Sequence, residues 1–343
     1  MNRGTLLIRA DANAAIGAGH VMRCLALAQA WQDAGGTTAV LATAELPVAI
    51  EKRLIGERVE VVRLQVDPAT EQDATELAEL SRQRTAHCVI VDGERFGPEY
   101  FTTLKKNRLK ILWLDDFGSV RAHNVDLILN QNPGASRDAY AWCRDEARLL
   151  LGTEYVTLRR EFRQAKPRAE TSGAARNLLV TFGGSDPDNL TELVLSALAA
   201  DPPGGNVTVA VGSGNPRLSD LQRLASSVGV TLLADAPHMP GLMMESDLAV
   251  IAAGGTLWEL LYCGCAVLSY SRNSVQADVI ARLAAAGAVC DLGAASAFEP
   301  AELCAAIRRV AGSAVTREKM QAAGRQIVDA DGVLRVMRRL NGE

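Results

Sequence analysis

No run in this chain approaches the ~18 consecutive apolar residues that would carry a helix across a bilayer. The opening MNRGTLLIRAD turns polar after three apolar positions, too few for a secretory signal. Cysteine pairs of the CxxC type are missing too. The seven cysteines, Cys24, Cys88, Cys143, Cys263, Cys265, Cys290 and Cys304, are scattered. The Cys263–Cys265 spacing is too tight for a zinc knuckle and has no histidine beside it. An odd number of thiols in apolar surroundings reads as reduced and buried, as in a cytoplasmic protein. Clustered cations are also absent. The net charge is −4, which argues against nucleic acid as the main partner, and the pairs Lys105–Lys106 and Arg338–Arg339 read as solvated helix faces. No metal and no cofactor is expected.

What is present is globular. Apolar residues make up 48% and charged residues 22% of 343, enough for two domains with a core each. Apolar runs alternate with helical patterns in the manner of parallel βα units. Strands are expected at 5–9, 38–42, 59–63, 88–92, 110–114 and 127–130, then at 177–182, 207–211, 231–234, 248–251 and 266–270. A helix over 21–34 would bury Val21, Cys24, Leu25 and Ala28 at i, i+3, i+4 and i+7. The stretch 166–173, KPRAETSG, is polar and aperiodic and reads as a linker. It separates an expected first domain (1–165) from a second (174–343). The tail from Ser313 reads as one or two charged helices, the last able to pack back on the first domain. Two doubly wound α/β domains of this kind place ligands at the carboxyl ends of their strands, facing a shared cleft.

Three glycine turns follow strand ends: Gly17 and Gly19 before His20; Gly183 and Gly184 before Ser185; and Gly254 and Gly255 before Thr256. Bare backbone running into a helix start can hold a phosphate, since free N–H groups and the helix dipole favour negative charge. Four histidines are few. His20 stands where loop gives way to helix, where the dipole is expected to lower its pKa and leave a neutral ring able to take a proton. Capping or packing the first turn explains it equally well. His87 precedes a strand, His123 lies in a polar loop, and His238 lies in a loop of the second half. Asp11 and Asn13 read as ligand contacts or as a polar turn. Arg23, off the apolar face of its helix, reads as a phosphate or sugar contact or as solvated. Asp115 and Asp116 read as a sugar or metal contact or as a turn. Asp186, Pro187 and Asp188 suit an N-cap, first helical position and dipole partner. Thr256 and Glu259 match a capping box, or else Gly254, Gly255 and Thr256 hold a diphosphate while Glu259 binds a ribose.

The strings IRADANAAIGAGHVMRCLALAQAW, IVDGERFGPEYF, ILWLDDFGS, DLILNQNPGA, LLGTEYVTLRREF, LLVTFGGSDPDNLT and AAGGTLWELLYCG, in that order along nearly the whole chain, resemble the UDP-2,4-diacetamido-2,4,6-trideoxy-β-L-altropyranose hydrolases of pseudaminic acid biosynthesis. Relatives in spore-coat polysaccharide biosynthesis share the pattern. More distantly the chain is similar to the GT-B glycosyltransferase that adds N-acetylglucosamine to lipid I. The resemblance implies a GT-B fold, with UDP on the second domain and a UDP-linked amino or deoxy sugar presented to the first. His20 matches the family's general base, activating a water that expels UDP from the anomeric carbon with inversion and without a metal. Nucleotide contacts are implied for Gly183, Gly184, Ser185, Gly254, Gly255, Thr256 and Glu259, with His238 and Met239 in the loop that reads the base. Sugar-side contacts fall on Asp11, Gly17, Gly19, Arg23, Glu94, Asn273 and Gln276. Glu94 stands where the family shows a tyrosine. Val275 stands where it shows an asparagine, with Asn273 displaced by two, so a remodelled sugar pocket is expected. A transferase moving the sugar to an acceptor hydroxyl, or a non-catalytic UDP-sugar-binding homologue, would share these features. A monomer or weak homo-oligomer is expected.

Overall fold

Strands and helices alternate along the computed structural model as the spacing of apolar runs requires. Residues 4–118, 124–143, 148–167, 173–236 and 238–342 are described, so His123 and most of the expected linker (168–172) lie outside the description. The chain divides into two compact units: Met1–Arg160 together with Asp331–Glu343, and Glu161–Ala330.

The first unit contains β1 (Thr5–Arg9), α1 (Gly19–Asp33), β2 (Thr38–Thr43), α2 (Val48–Gly56), β3 (Val59–Arg63), α3 (Glu71–Gln83), β4 (Ala86–Asp92), α4 (Pro98–Lys106), β5 (Ile111–Leu114), β6 (Leu127–Asn130) and β7 (Arg148–Leu151). A single helical turn, α5 (Arg160–Arg163), follows. The strands form one seven-stranded parallel sheet in the order β3-β2-β1-β4-β5-β6-β7. Alternate residues of β1 serve opposite faces: Leu6 and Ile8 pack with Leu25 and Trp31 of α1, whereas Leu7 packs with Leu77 of α3 and Phe101 of α4. Both faces are therefore covered, as a continuous apolar strand demands. The strand order turns back between β1 and β4, which puts the loops after these two strands at the switch point of the sheet.

The second unit contains β8 (Asn177–Thr181), α6 (Leu190–Ala200), β9 (Asn206–Val211), α7 (Leu218–Ser227), β10 (Thr231–Ala234), α8 (Met239–Glu245), β11 (Leu248–Ala252), α9 (Gly255–Cys263), β12 (Ala266–Ser271), α10 (Ser274–Ala285), β13 (Val289–Ala294), α11 (Pro300–Ala311) and α12 (Ala314–Ile327). Its sheet runs β10-β9-β8-β11-β12-β13, with the switch point between β8 and β11. The last helix, α13 (Gly332–Asn341), belongs to the first unit. It buries Val333, Val336, Met337 and Leu340 in the cluster that holds Leu25 and Ala28 of α1. Each such aliphatic side chain contributes about 1.5–3 kcal/mol on burial.

Several local expectations are corrected. Helix α1 starts at Gly19, not Val21. Strands β7 and β13 add to those that the apolar runs predict; each is an edge strand, and the burial of β13 is broken at Asp291 and Gly293. Lys105 is not simply solvated, since its Nζ donates to both carboxylate oxygens of Asp126 at 2.9 and 3.0 Å. Five of the seven cysteines are buried, while Cys143 and Cys290 are partly exposed. No described helix is long and apolar enough to cross a membrane.

Candidate active site

The loop after β1 is built to deliver His20. Asn13 Oδ1 accepts the N–H groups of Ala15 and Ile16, both at 2.9 Å, and Gly17 N–H donates to the Asn13 carbonyl at 2.9 Å. The turn closes with Gly17 at φ +74°, a conformation that a Cβ would strain. Helix α1 then opens at Gly19, with no side-chain cap, and His20 takes its second position.

From β4, the sheet neighbour of β1, comes the partner. Asp92 is 1% exposed, and its Oδ1 lies 2.7 Å from His20 Nδ1. Arg23, one turn further along α1, donates from Nε to Asp92 Oδ2 and from Nη2 to Asp92 Oδ1, both at 2.6 Å. Its Nη1 donates to Asp116 Oδ1, after β5, at 2.8 Å. Arg23 Nη2 also comes within 3.3 Å of His20 Nδ1. A guanidinium cannot accept, so the short contact to Asp92 places the ring proton on Nδ1 and leaves Nε2 with the lone pair.

The electrostatics correct one expectation. Burial disfavours a charged imidazole, but the Asp92 carboxylate outweighs it, so His20 sits above its ordinary value rather than below. Arg23 opposes that rise, and Asp116 adds to it. Burial would raise Asp92; instead Arg23 and then His20 hold it well below the usual carboxylate range. The free amides of the helix start are a weaker influence than an ionised carboxylate in hydrogen-bond contact.

His20 and Arg23 line a recess of about 210 Å³ together with Gly93, Glu94, Trp113, Leu114, Asp115, Asp116 and Phe117. Glu94 is exposed at its edge. Asp115 has a structural job: it accepts the N–H groups of Phe117 (3.0 Å) and Gly118 (2.9 Å) and the Tyr140 hydroxyl (2.8 Å). Burial, which these donors only partly offset, pushes its carboxyl up.

Asp11 is not in this recess. Its Oδ1 accepts Arg9 Nη1 at 2.6 Å, the Thr43 hydroxyl at 3.0 Å and the Ala44 N–H at 2.8 Å. Arg9, fully buried, also donates from Nε and Nη2 to Asp73 at the start of α3. Asp11 thus ties the end of β1 to the loop after β2. His87 packs against Trp31, with ring centroids 5.5 Å apart.

In the second unit the two glycine turns follow β8 and β11, the strands at its switch point. Gly183, at φ +82°, and Gly184 are exposed, and Ser185 is half-buried. A Cβ at Gly212 would press on the Gly184 backbone at 2.7 Å, so the loop after β9 braces this turn only because Gly212 has no side chain. The expected N-cap arrangement is shifted. Asp186 and Asn189 take left-handed conformations (φ +39° and +56°), so Pro187 lies in a turn and α6 starts at Leu190. Asp186 still caps it, accepting Leu190 N–H at 3.0 Å and Thr191 N–H at 2.8 Å. The expected capping box does not form either. Helix α9 starts at Gly255 with Gly254 as an N-cap that offers no side chain, which puts Thr256 inside the first turn and Glu259, 9% exposed, one turn further. The first N–H groups of α9 thus have no side-chain cap, and a Cβ at Gly254 or Gly255 would meet open space.

His238, exposed, precedes α8, and Met239 is its first residue. Asn273 and Gln276 cap α10: Asn273 Oδ1 accepts Gln276 N–H and Gln276 Oε1 accepts Arg272 N–H, both at 2.9 Å. Val275 is half-buried between them. Of the expected sugar-side residues, Arg23 and Glu94 meet in one recess with His20, the expected base. Asp92 and the Asp116–Arg23 pair were missed as partners of His20. A carboxylate ending the strand beside β1 was the available signal.

No protein-family model matches the chain. It is 27% identical over 230 residues to the spore coat polysaccharide biosynthesis protein SpsG of Bacillus subtilis, covering 66% of this chain and 68% of that protein. It is 27% identical over 274 residues to the UDP-2,4-diacetamido-2,4,6-trideoxy-β-L-altropyranose hydrolase of Campylobacter jejuni, covering 78% of this chain and 92% of that one. Among solved structures, MurG of Acinetobacter baumannii superposes with a TM-score of 0.69 over 99% of this chain and 100% of its own, at 14% identity. The chain has the GT-B fold and is similar in sequence to SpsG and to the altropyranose hydrolase.

Proposed function

We propose that this protein is a UDP-sugar hydrolase that cleaves the bond between the anomeric carbon and the diphosphate of a UDP-linked amino or deoxy sugar. The observation that carries the reading is the His20–Asp92 contact at the recess. With Nδ1 held by Asp92 at 2.7 Å, Nε2 is the nitrogen that can take a proton from water. The water oxygen forms the new bond to the anomeric carbon, its proton passes to His20 Nε2, and the C–O bond to UDP breaks with its electron pair leaving on the phosphate. Attack from the face opposite the leaving group inverts the anomeric configuration.

The nucleotide is assigned to the glycine turns after β8 and β11. Uncapped amides at the start of α9 suit a diphosphate, which needs donors and no metal-binding carboxylates. Glu259 is placed on the ribose, and His238 and Met239 on the base. Homology to a UDP-sugar hydrolase over 92% of that protein's length supports water rather than an acceptor hydroxyl as nucleophile. Glu94 and Val275, in place of a tyrosine and an asparagine, support a sugar other than the altrose derivative.

The test is mass spectrometry of a nucleotide-sugar library before and after incubation with the protein and no acceptor. Loss of one UDP-sugar with formation of UDP and free sugar is the expected result. Turnover only after an acceptor is added indicates transfer, and no turnover in either case together with UDP binding indicates a binding protein.

A further inference from the structure

Arg23 reads at first as a ligand contact, a cation one turn into a helix at the mouth of a recess. Its bonding is different. Three of its five N–H groups are directed at Asp92 Oδ2, Asp92 Oδ1 and Asp116 Oδ1, at 2.6, 2.6 and 2.8 Å. The side chain is only 14% exposed, and it spans two carboxylates that come from different strand ends, one fully buried and one 23% exposed.

This matters because of what Asp92 would otherwise do. A carboxylate removed from water needs a cation against it. His20, at 2.7 Å, is the other candidate, and an imidazole recruited as that counterion cannot accept a proton. Arg23 meets the requirement through both oxygens of Asp92, so His20 can hand its Nδ1 proton toward Asp92 as a neutral ring. We propose that Arg23 is a positioning residue for His20: anchored by Asp116, it neutralises Asp92 and so keeps the imidazole available as a base. This rests on the reading of His20 as the base of the reaction.

Three elements present charged or titratable groups to His20. Helix α1 supplies Arg23 and Cys24, whose Sγ lies 3.5 Å from Asp92 Oδ2. The end of β4 supplies Asp92 and Glu94, and the end of β5 supplies Asp115 and Asp116. Burial and the neighbouring carboxylate keep the Cys24 thiol protonated, so it adds no charge beside His20. Arg23 is the sole permanent cation among these described groups.

Two substitutions are expected to move the His20 midpoint in opposite directions. In Arg23→Gln, Asp92 turns to His20 for its counterion, and the His20 titration midpoint moves up by about one pH unit. In Asp116→Asn the charge of Arg23 falls wholly on Asp92, and the midpoint moves down. Histidine-labelled full-length protein, followed by NMR through a pH titration, reads both without any substrate, so the result stands even if no UDP-sugar is hydrolysed. Where turnover is measurable, the acid limb of kcat/KM moves with the midpoint and the UDP-induced rise in Tm is retained. If Arg23→Gln does not fold, Arg23→Lys, which keeps the charge but not the planar two-oxygen grip on Asp92, carries the test through a smaller upward shift, because Asp116→Asn also removes a carboxylate that itself raises His20. A midpoint that stays put in the folded variants overturns the proposal. So does an Arg23→Gln protein whose KM rises tenfold with an unmoved acid limb, the signature of a direct ligand contact.

Discussion

His20 Nδ1 and Asp92 Oδ1 are 2.7 Å apart, joining the second residue of α1 to the last residue of β4 across 72 positions of sequence. The contact orients the ring, fixes its tautomer and sets its basicity. Substituting Asp92→Asn removes the charge and presents a donor where Arg23 and His20 both need an acceptor. The expected loss in kcat is about 10²–10⁴-fold, the range of a misplaced general base. Binding of UDP, monitored by thermal shift, is expected to persist. Activity within a few-fold of wild type would remove Asp92 from the mechanism.

The pH dependence of stability and of activity should run in opposite directions. His20 has a folded-state pKa above its ordinary value of 6.5. Its coupling to Asp92 therefore stabilises the fold fully below ~6.5 and is lost as pH rises through the raised value. Asp92 behaves conversely, contributing above the ordinary carboxylate range and losing that contribution only in strong acid. A base must be unprotonated, so kcat/KM rises over the interval in which the His20 contribution to stability declines. Urea unfolding and kcat/KM across ~pH 5–9 check both. In His20→Gln the stability slope near neutrality should vanish.

The glycine turn before α9 allows a clean separation of folding from binding. Gly254 has φ 177°, an extended conformation open to any residue, and a Cβ there meets nothing within 4 Å. Gly254→Val should leave the Tm of the ligand-free protein close to wild type. A branched side chain in front of the uncapped amides should cut UDP affinity at least ~10-fold, a loss of about 1.4 kcal/mol. Calorimetric titration with UDP measures it. Unchanged affinity would move the diphosphate elsewhere.

Leu340, three residues from the end of the sequence, is fully buried with Leu25, Ala28 and Val336. Leu340→Ala should destabilise the first unit by about 2–5 kcal/mol, as a cavity in a packed core does. The unfolding transition of that unit should shift while UDP binding is retained. A change below ~0.5 kcal/mol, typical of an exposed position, would contradict the packing of α13 on α1.

Much of the fold is legible in local sequence because strands buried on both faces are continuous apolar runs. Those at 5–9 and 127–130 have the expected limits. Strands β7 and β13 escape because their apolar pattern is short or interrupted, whereas the edge strands at 59–63 and 231–234 keep theirs. Helix starts are missed where backbone conformation overrides side-chain preference: left-handed Asn189 delays α6, and Gly254–Gly255 lets α9 begin before Thr256 can cap it. Asn273 and Gln276 suit hydrogen bonding to a sugar, yet they bond to backbone at their own helix end. The site itself was half legible. His20 is marked by its glycines, but Asp92 and Asp116 become its surroundings only through the pairing of β4 with β1 and β5, which no local pattern encodes.

The most direct test is release of UDP from a pool of UDP-sugars, without acceptor, by wild-type protein and by His20→Ala. The expected result is UDP in stoichiometric amount with free sugar from the wild type, and a loss of about 10²-fold or more in the variant, with UDP still bound by both. Full turnover by His20→Ala would contradict it.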